Sequence, residues 1–398
     1  MRYKLTNGTI LTPFRAIPNG TLVFENGTIL GLHERAVDVP DAVEIDATGQ
    51  FVAPGFIDIH VHGGGGSDFM DGTQDAFLRI AELHARYGTT SLVPTTLTAE
   101  LDDLLQTLDA FEAANRVNAK GATLLGMHLE GPYFALSQRG AQDPRYIRHP
   151  DPAEYERILS YSSSIVRWSA APELDGAIAF GQRLRQKGIL AAIAHTDALY
   201  DDVLTAYENG YSLATHLYSG MSGVTRRNAF RYAGTIESAL LLDMDVELIG
   251  DGIHLPAPLL KLVYKIKGPD RIALITDAMR AAGMPEGESM LGSLKNGLAV
   301  IVEDGVAKLP DRTAFAGSVA TTNQLVRNMV KLADVSLPDA VRMASTTPAR
   351  IMGVDTRKGS LVTGKDADIV LFDQDFRVNA TFVRGKLVYA NSILVNGQ

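Results

Sequence analysis

The sequence predicts an α/β protein: a (β/α)8 TIM barrel carrying a small β-sandwich domain built from both chain ends. Three observations predict it. The middle of the chain alternates eight short apolar segments with amphipathic stretches over ~220 residues, the size and order of eight β/α units. The two ends share a different texture, short strands broken by turn signals, which suggests one domain assembled from both termini. Six of the nine histidines (all except His33, His84 and His149) fall within or just after a predicted strand. In a barrel that is the C-terminal face, where active sites are built.

The elements follow in chain order. Tyr3–Thr6 precedes Asn7-Gly8, Thr21–Phe24 precedes Asn26-Gly27, and Val43–Ile45 ends at the next turn. The predicted barrel strands are Gly55–Ile59, Thr90–Pro94, Thr123–Leu129, Ile165–Ala170, Leu190–Ala194, Ser212–Thr215, Val246–Ile249 and Ile272–Thr276. Helical periodicity marks Ala76–Tyr87, Ala153–Leu159, Gly176–Lys187 and Asp202–Asn209 between them. Ile369–Phe372, Phe382–Val383, the Arg384-Gly385 turn and Lys386–Tyr389 return to the short-strand texture. The expected domains are 1–52 with 357–398 for the small β domain, and 53–356 for the barrel. A doubly wound open sheet is the rival, but it carries a Gly-rich nucleotide turn after its first strand. Here that strand ends in His60-Val61-His62.

The 398 residues hold 37 Lys+Arg against 46 Asp+Glu, a net charge of −9, which argues against nucleic acid or an anionic membrane as the main partner. The absence of Cys excludes disulfides, thiol catalysis and Cys-ligated zinc. The first residues lack the apolar core of a secretion signal, and no apolar run approaches the ~20 residues that span a bilayer. A cytoplasmic protein is expected.

His60 and His62, two apart on a strand, point to the same side and are spaced to grip one metal ion. Alone, this pair is equally compatible with solvated or core histidines. Glu130 ends the third strand, His195 the fifth, His216 the sixth and Asp277 the eighth. Imidazoles and carboxylates gathered at strand ends suit Zn²⁺ or Fe²⁺.

The run Pro54-Gly55-Phe56-Ile57-Asp58-Ile59-His60-Val61-His62 resembles the first-strand signature of the amidohydrolase superfamily. His128-Leu129-Glu130-Gly131-Pro132-Tyr133, Ala194-His195-Thr196, Thr215-His216-Leu217, Asp251-Gly252-Ile253-His254 and Thr276-Asp277-Ala278 resemble, in order, its N-acetylglucosamine-6-phosphate deacetylase branch. The similarity spans essentially the whole chain. Many superfamily relatives use a carboxylated Lys on the fourth strand; Ile165–Ala170 offers none, and Glu130 replaces it.

The resemblance implies that Glu130, His195 and His216 hold one metal, and that His60, His62, Glu130 and Asp277 hold a second in members that keep the His pair. One or two divalent ions per subunit, Zn or Fe, are therefore expected. It further implies that Asp277 takes the proton of the attacking water and returns it to the leaving amine, with the metal or His128 polarising the carbonyl. For His128 a supporting or packing place remains open. By the same carry-over, Arg227 reaches the phosphate of the neighbouring subunit in a homodimer, and His254 of Asp251-Gly252-Ile253-His254 bonds the sugar. Ala141, Gln142, Ser219 and Gly220 line the pocket, and Phe315-Ala316-Gly317 closes it. The run Gly63–Gly66 either brings backbone close to the metal or makes a tight turn.

The chain departs from the family pattern at three places. His216-Leu217-Tyr218-Ser219-Gly220-Met221 stands where His-Leu-Phe-Asn-Ala-Met is usual, Asn228-Ala229-Phe230 where Glu-Pro-Gly follows the arginine, and Gln142 where a His is often found. Losing the Asn removes a hydrogen bond worth ~1 kcal/mol or more. The expected substrate is N-acetylglucosamine 6-phosphate, with its galactosamine epimer as the competitor. Another amidohydrolase-type amide hydrolase and a non-catalytic barrel scaffold are the remaining readings.

Overall fold

A computed structural model describes residues 1–391. Residues 392–398, the last of the expected small domain, lie outside the described residues. Eight parallel strands each precede a helix. The strands are β1 (Phe56–Val61), β2 (Thr89–Pro94), β3 (Met127–Glu130), β4 (Ile165–Ala170), β5 (Leu190–Ile193), β6 (Tyr211–Ala214), β7 (Asp245–Ile249) and β8 (Ile272–Ile275). Their helices are α1 (Gln74–Ala85), α2 (Leu101–Val117), α3 (Pro152–Tyr161), α4 (Ala177–Gln186), α5 (Tyr200–Glu208), α6 (Thr235–Leu241), α7 (Ala257–Lys267) and α8 (Thr322–Ala333), followed by α9 (Leu337–Ala344) and α10 (Thr346–Ile351).

The strands neighbour one another in sequence order. β1 pairs with β2 in parallel, a bridge between Thr95 and His128 joins β2 to β3, and β3 to β8 form one continuous parallel sheet. The sheet curls until its end meets its beginning: Asp277, just past β8, donates its N–H to the His60 carbonyl of β1 at 2.9 Å. Beside this contact Asp58 of β1 accepts the Thr276 hydroxyl at 2.5 Å. The expected third strand is interrupted, with Thr123–Leu124 pairing to β2 before β3 begins.

Period-two alternation sorts each strand between two apolar layers. Trp168 of β4 packs outward with Phe180 of α4, and Ile193 of β5 outward with Val203 of α5. Val246 and Leu248 of β7, and Ile272 and Leu274 of β8, meet α6 to α9. The alternate residues Ile57, Ile59, Val93, Ala192, Leu213, Ile249, Ala273 and Ile275 cluster with one another and with Ala349 of α10.

Both chain ends share one eight-stranded sheet. Phe51–Pro54 lies between Arg2–Leu11, which it joins in parallel, and Ile369–Phe372, which it joins antiparallel. Between β8 and α8 the chain inserts a four-stranded antiparallel sheet of Gly287–Leu291, Leu298–Glu303, Val306–Lys308 and Phe315–Ser318, which the sequence reading did not anticipate. No helix of the described residues is long and apolar enough to cross a membrane.

Candidate active site

The C-terminal ends of the parallel strands converge on one cavity of about 330 Å³. His60 leaves β1 and His62 follows it, with their Nε2 atoms 3.2 Å apart. Glu130 ends β3 and sits among the imidazoles. Its Oε1 lies 2.9 Å from His216 Nε2 and 3.5 Å from both His195 Nε2 and His60 Nε2; its Oε2 lies 3.4 Å from His62 Nε2. Asp277 Oδ1 stands 3.1 Å from His62 Nε2 and 3.4 Å from His60 Nε2. All six side chains are buried.

Two groups of ligand atoms emerge, His60–His62–Glu130 and Glu130–His195–His216, each within 4.8 Å of mutual contact. Imidazole nitrogens and carboxylate oxygens at that spacing form a donor set for a divalent transition metal. The electrostatics agree. Burial works against charge on His62, but the Asp277 and Glu130 carboxylates outweigh it and bring the imidazole up to about 9. Burial likewise opposes the Asp277 carboxylate, yet the surrounding histidines hold it down at about 2. The cluster thus demands positive charge between its carboxylates, which is what a cation supplies.

Neighbours fix several of these groups. Gln142 donates from Nε2 to Glu130 Oε2 at 2.8 Å, while its Oε1 accepts the Thr98 N–H at 2.9 Å. His195 Nδ1 donates to the Gln138 carbonyl at 2.8 Å. His254 reaches the cavity with Nδ1 on Asp251 Oδ2 at 2.6 Å and its ring against Phe315, centroids 4.7 Å apart. His195, His216 and Asp277 all have left-handed backbones, with φ of 47°, 32° and 49°. Gly220, at φ 55°, has no room for a side chain: a Cβ there would stand 2.7 Å from His195 Nδ1.

Of the residues expected at the pocket, Ala141, Gln142, Ser219, Gly220, His254, Phe315 and Gly317 line the cavity. Ala316 is buried behind it, and Asp251 acts on it through His254. Gly252 and Ile253 form the turn between them; Asp251 Oδ1 accepts the Ile253 N–H at 2.8 Å. Arg227 is not brought to the cavity of its own chain. It lies on an exposed hairpin of Thr225–Arg227 and Phe230–Tyr232, over the Tyr232 ring at 5.7 Å. His128 does not reach the cavity either. Its Nε2 meets Ser169 Oγ at 2.7 Å, its Nδ1 meets Thr95 Oγ1 at 3.2 Å, and it packs edge-on behind His60. Gly63–Gly64 pairs with Ser67–Asp68 around Gly65-Gly66, both at positive φ, so this run is a tight turn. Sequence reasoning missed Leu97, Gly140, Tyr218, Leu291 and Ala314 of the lining. In the sequence, nothing distinguishes the apolar Leu97, Leu291 and Ala314 from core.

The family model for the amidohydrolase family matches residues 51–388. The chain belongs to the amidohydrolase family. Within that family it is 35% identical to the N-acetylglucosamine-6-phosphate deacetylase of Bacillus subtilis, over 96% of this chain and 95% of the relative. It is 34% identical to the N-acetylgalactosamine-6-phosphate deacetylase of Escherichia coli O157:H7, over 97% and 99%. Among solved amidohydrolase structures it resembles a mutant N-acetyl-D-glucosamine-6-phosphate deacetylase from Mycobacterium smegmatis in complex with N-acetyl-D-glucosamine-6-phosphate. The two superpose with a TM-score of 0.90 at 33% identity, over 98% of this chain and 100% of that one. The N-acetylglucosamine-6-phosphate deacetylase of Pasteurella multocida gives 0.91 at 29% identity, with the same coverage. The amidohydrolase family is metal-dependent, and the two His/Glu groups of this chain are able to bind a metal.

Proposed function

We propose that this chain hydrolyses the acetamide of N-acetylglucosamine 6-phosphate to glucosamine 6-phosphate and acetate. The observation that carries the reading is the buried convergence of His60, His62, Glu130, His195, His216 and Asp277 on one cavity, in a chain that matches deacetylases along almost its full length. We read the curled parallel sheet as a closed (β/α)8 barrel over 53–356. Residues 1–52 and, of the described residues, 357–391 would form the β-sandwich domain.

Glu130, His195 and His216 would hold one metal; His60, His62, Glu130 and Asp277 would hold a second. Zn²⁺ or Fe²⁺ suits these donors. A divalent ion there supplies a water acidic enough to attack a carbonyl at neutral pH. Asp277 takes the proton as the water's oxygen bonds to the acetamide carbon. It then delivers that proton to the sugar nitrogen as the C–N bond breaks, so one carboxylate serves both halves. His254, steadied by Asp251, donates to the sugar, while Ala141, Gln142, Ser219, Gly220, Phe315 and Gly317 enclose it. Asp251, Gly252, Ile253 and Ala316 support that wall. Arg227 binds the phosphate from the partner subunit of a homodimer, consistent with its exposed hairpin. A cytoplasmic location is part of the proposal, since a phosphorylated sugar is too polar to cross a bilayer unaided.

The galactosamine epimer is the second reading. It is favoured by Ser219-Gly220 at the cavity wall and by the similarity, over 97% of this chain, to an N-acetylgalactosamine-6-phosphate deacetylase. Acetate release from both epimers and from the unphosphorylated sugar tests the proposal. Fast, chelator-sensitive release from the glucosamine phosphate is expected; release from its epimer alone would move the substrate.

A further inference from the structure

Beneath the ligand cluster lies a charged pair that the reaction does not use. Arg167 of β4 and Glu247 of β7 sit on the inward side of strands whose outward neighbours, Trp168, Val246 and Leu248, face helices. Both are fully buried. The guanidinium grips the carboxylate with two nitrogens, Nη1 on Oε1 and Nη2 on Oε2 at 3.1 Å. It also donates to the Ile59 carbonyl at 3.1 Å and to Thr215 Oγ1 at 2.8 Å.

A buried ion pair is a poor way to gain stability, because apolar side chains of similar volume fill the space as well or better. Inward positions of the parallel strands are filled that way elsewhere, by Ile59 of β1, Leu213 of β6 and Ile249 of β7. The other contacts of Glu247 show what this pair adds. Its Oε2 lies 3.3 Å from His60 Nδ1 and accepts the backbone N–H of His216 at 3.1 Å. One carboxylate oxygen therefore touches a histidine from each ligand group. By contrast, Nδ1 of His62 and Nδ1 of His216 have no hydrogen-bond partner among the described residues.

We propose that Glu247, locked by Arg167, is a positioning residue: it accepts the Nδ1 proton of His60 and so aims the Nε2 lone pair at the His62–Glu130–Asp277 group. A carboxylate behind a metal-binding histidine fixes its tautomer and ring angle and strengthens it as a ligand. The inference rests on the reading that this group holds a metal.

The test uses full-length protein stripped of metal and titrated with zinc against a chromophoric chelator, with the melting temperature of the metal-free form recorded alongside. Arg167→Met with Glu247→Leu removes the pair without stranding a charge. The double variant is expected to melt near the wild type yet bind zinc roughly tenfold or more weakly. The weakening should fall on the equivalents that His60→Ala with His62→Ala abolishes. Should the double variant not fold, Glu247→Gln is titrated in its place, with the same weakening expected. Wild-type zinc affinity in these variants, with or without a lowered melting temperature, leaves the pair a purely structural element and overturns the proposal. If instead the His60→Ala/His62→Ala protein binds zinc like the wild type, the metal reading of that group fails and the proposal falls with it.

Discussion

His195, His216 and Asp277 each take a left-handed backbone immediately after a strand, where a non-glycine residue costs about 1–2 kcal/mol. Backbone hydrogen bonds on either side hold them there, from Asp277 to the His60 carbonyl and from Leu217 to the Glu247 carbonyl, both 2.9 Å. Local strain of this kind persists where the surroundings over-determine a geometry that function needs. Asp277→Asn keeps this backbone and the shape of the side chain but loses the proton acceptor. Turnover should fall roughly 10²–10⁴-fold with metal content largely retained, read by acetate release beside metal analysis. Near wild-type turnover would remove Asp277 from the proton-transfer role. The residues that converge on the cavity were legible in the sequence because imidazoles and carboxylates recur together at several strand ends, a pattern that no one of them carries alone. Arg167 and Glu247 carried a comparable signal, charges inside apolar strands, but their partnership depends on a separation of 80 residues that only the folded strands bring together.

At the scale of elements, a buried imidazole ties α1 to the turn that follows β1. His84 is fully buried on α1 and its Nε2 donates to the Gly63 carbonyl at 3.0 Å. Burial lowers its pKa to about 4 against an ordinary 6.5. The folded pKa lies below the unfolded one, so the unfolded chain binds the extra proton first. Stability is then full above pH 6.5 and is lost as the pH falls toward 4, by a total of about 3 kcal/mol. His84→Gln keeps a donor and should flatten that part of the profile, measured as urea midpoints between pH 7 and 4.5 in chelator. Equal slopes for both proteins would exclude His84 as the source. The eight strands were readable because each is a short apolar run before an amphipathic helix. The sheet inserted before α8 was not read from the sequence: Gly287–Leu291 is polar and largely exposed, while Leu298–Glu303, which buries Val300 and Val302 in alternation, did carry a strand signal that went unread.

At the scale of the whole molecule, the proposed role of Arg227 would separate what one chain does from what two do. Its hairpin projects Phe230, 71% exposed, together with Arg226, Arg227 and Arg231, and none of them enters the cavity of its own chain. Arg227→Ala should raise KM for the phosphorylated substrate far more than for the unphosphorylated sugar. Mixing it with inactive Asp277→Asn and re-forming dimers should restore one intact site per mixed pair, detected as activity above either parent. Silence of the mixture would confine Arg227 to its own subunit. In the proposed dimer the distance that matters runs to another copy, which the geometry of a single chain does not contain.

The sheet shared by both chain ends has a consequence for how the protein is made. Phe51–Pro54 emerges early from the ribosome, yet its antiparallel neighbour Ile369–Phe372 follows more than 300 residues later. At ~5–20 residues per second, that edge stays open for about 15–60 s of synthesis. The nascent chain thus carries an unpaired apolar border through most of its own translation, and the last strands to appear act as the clasp that seals it.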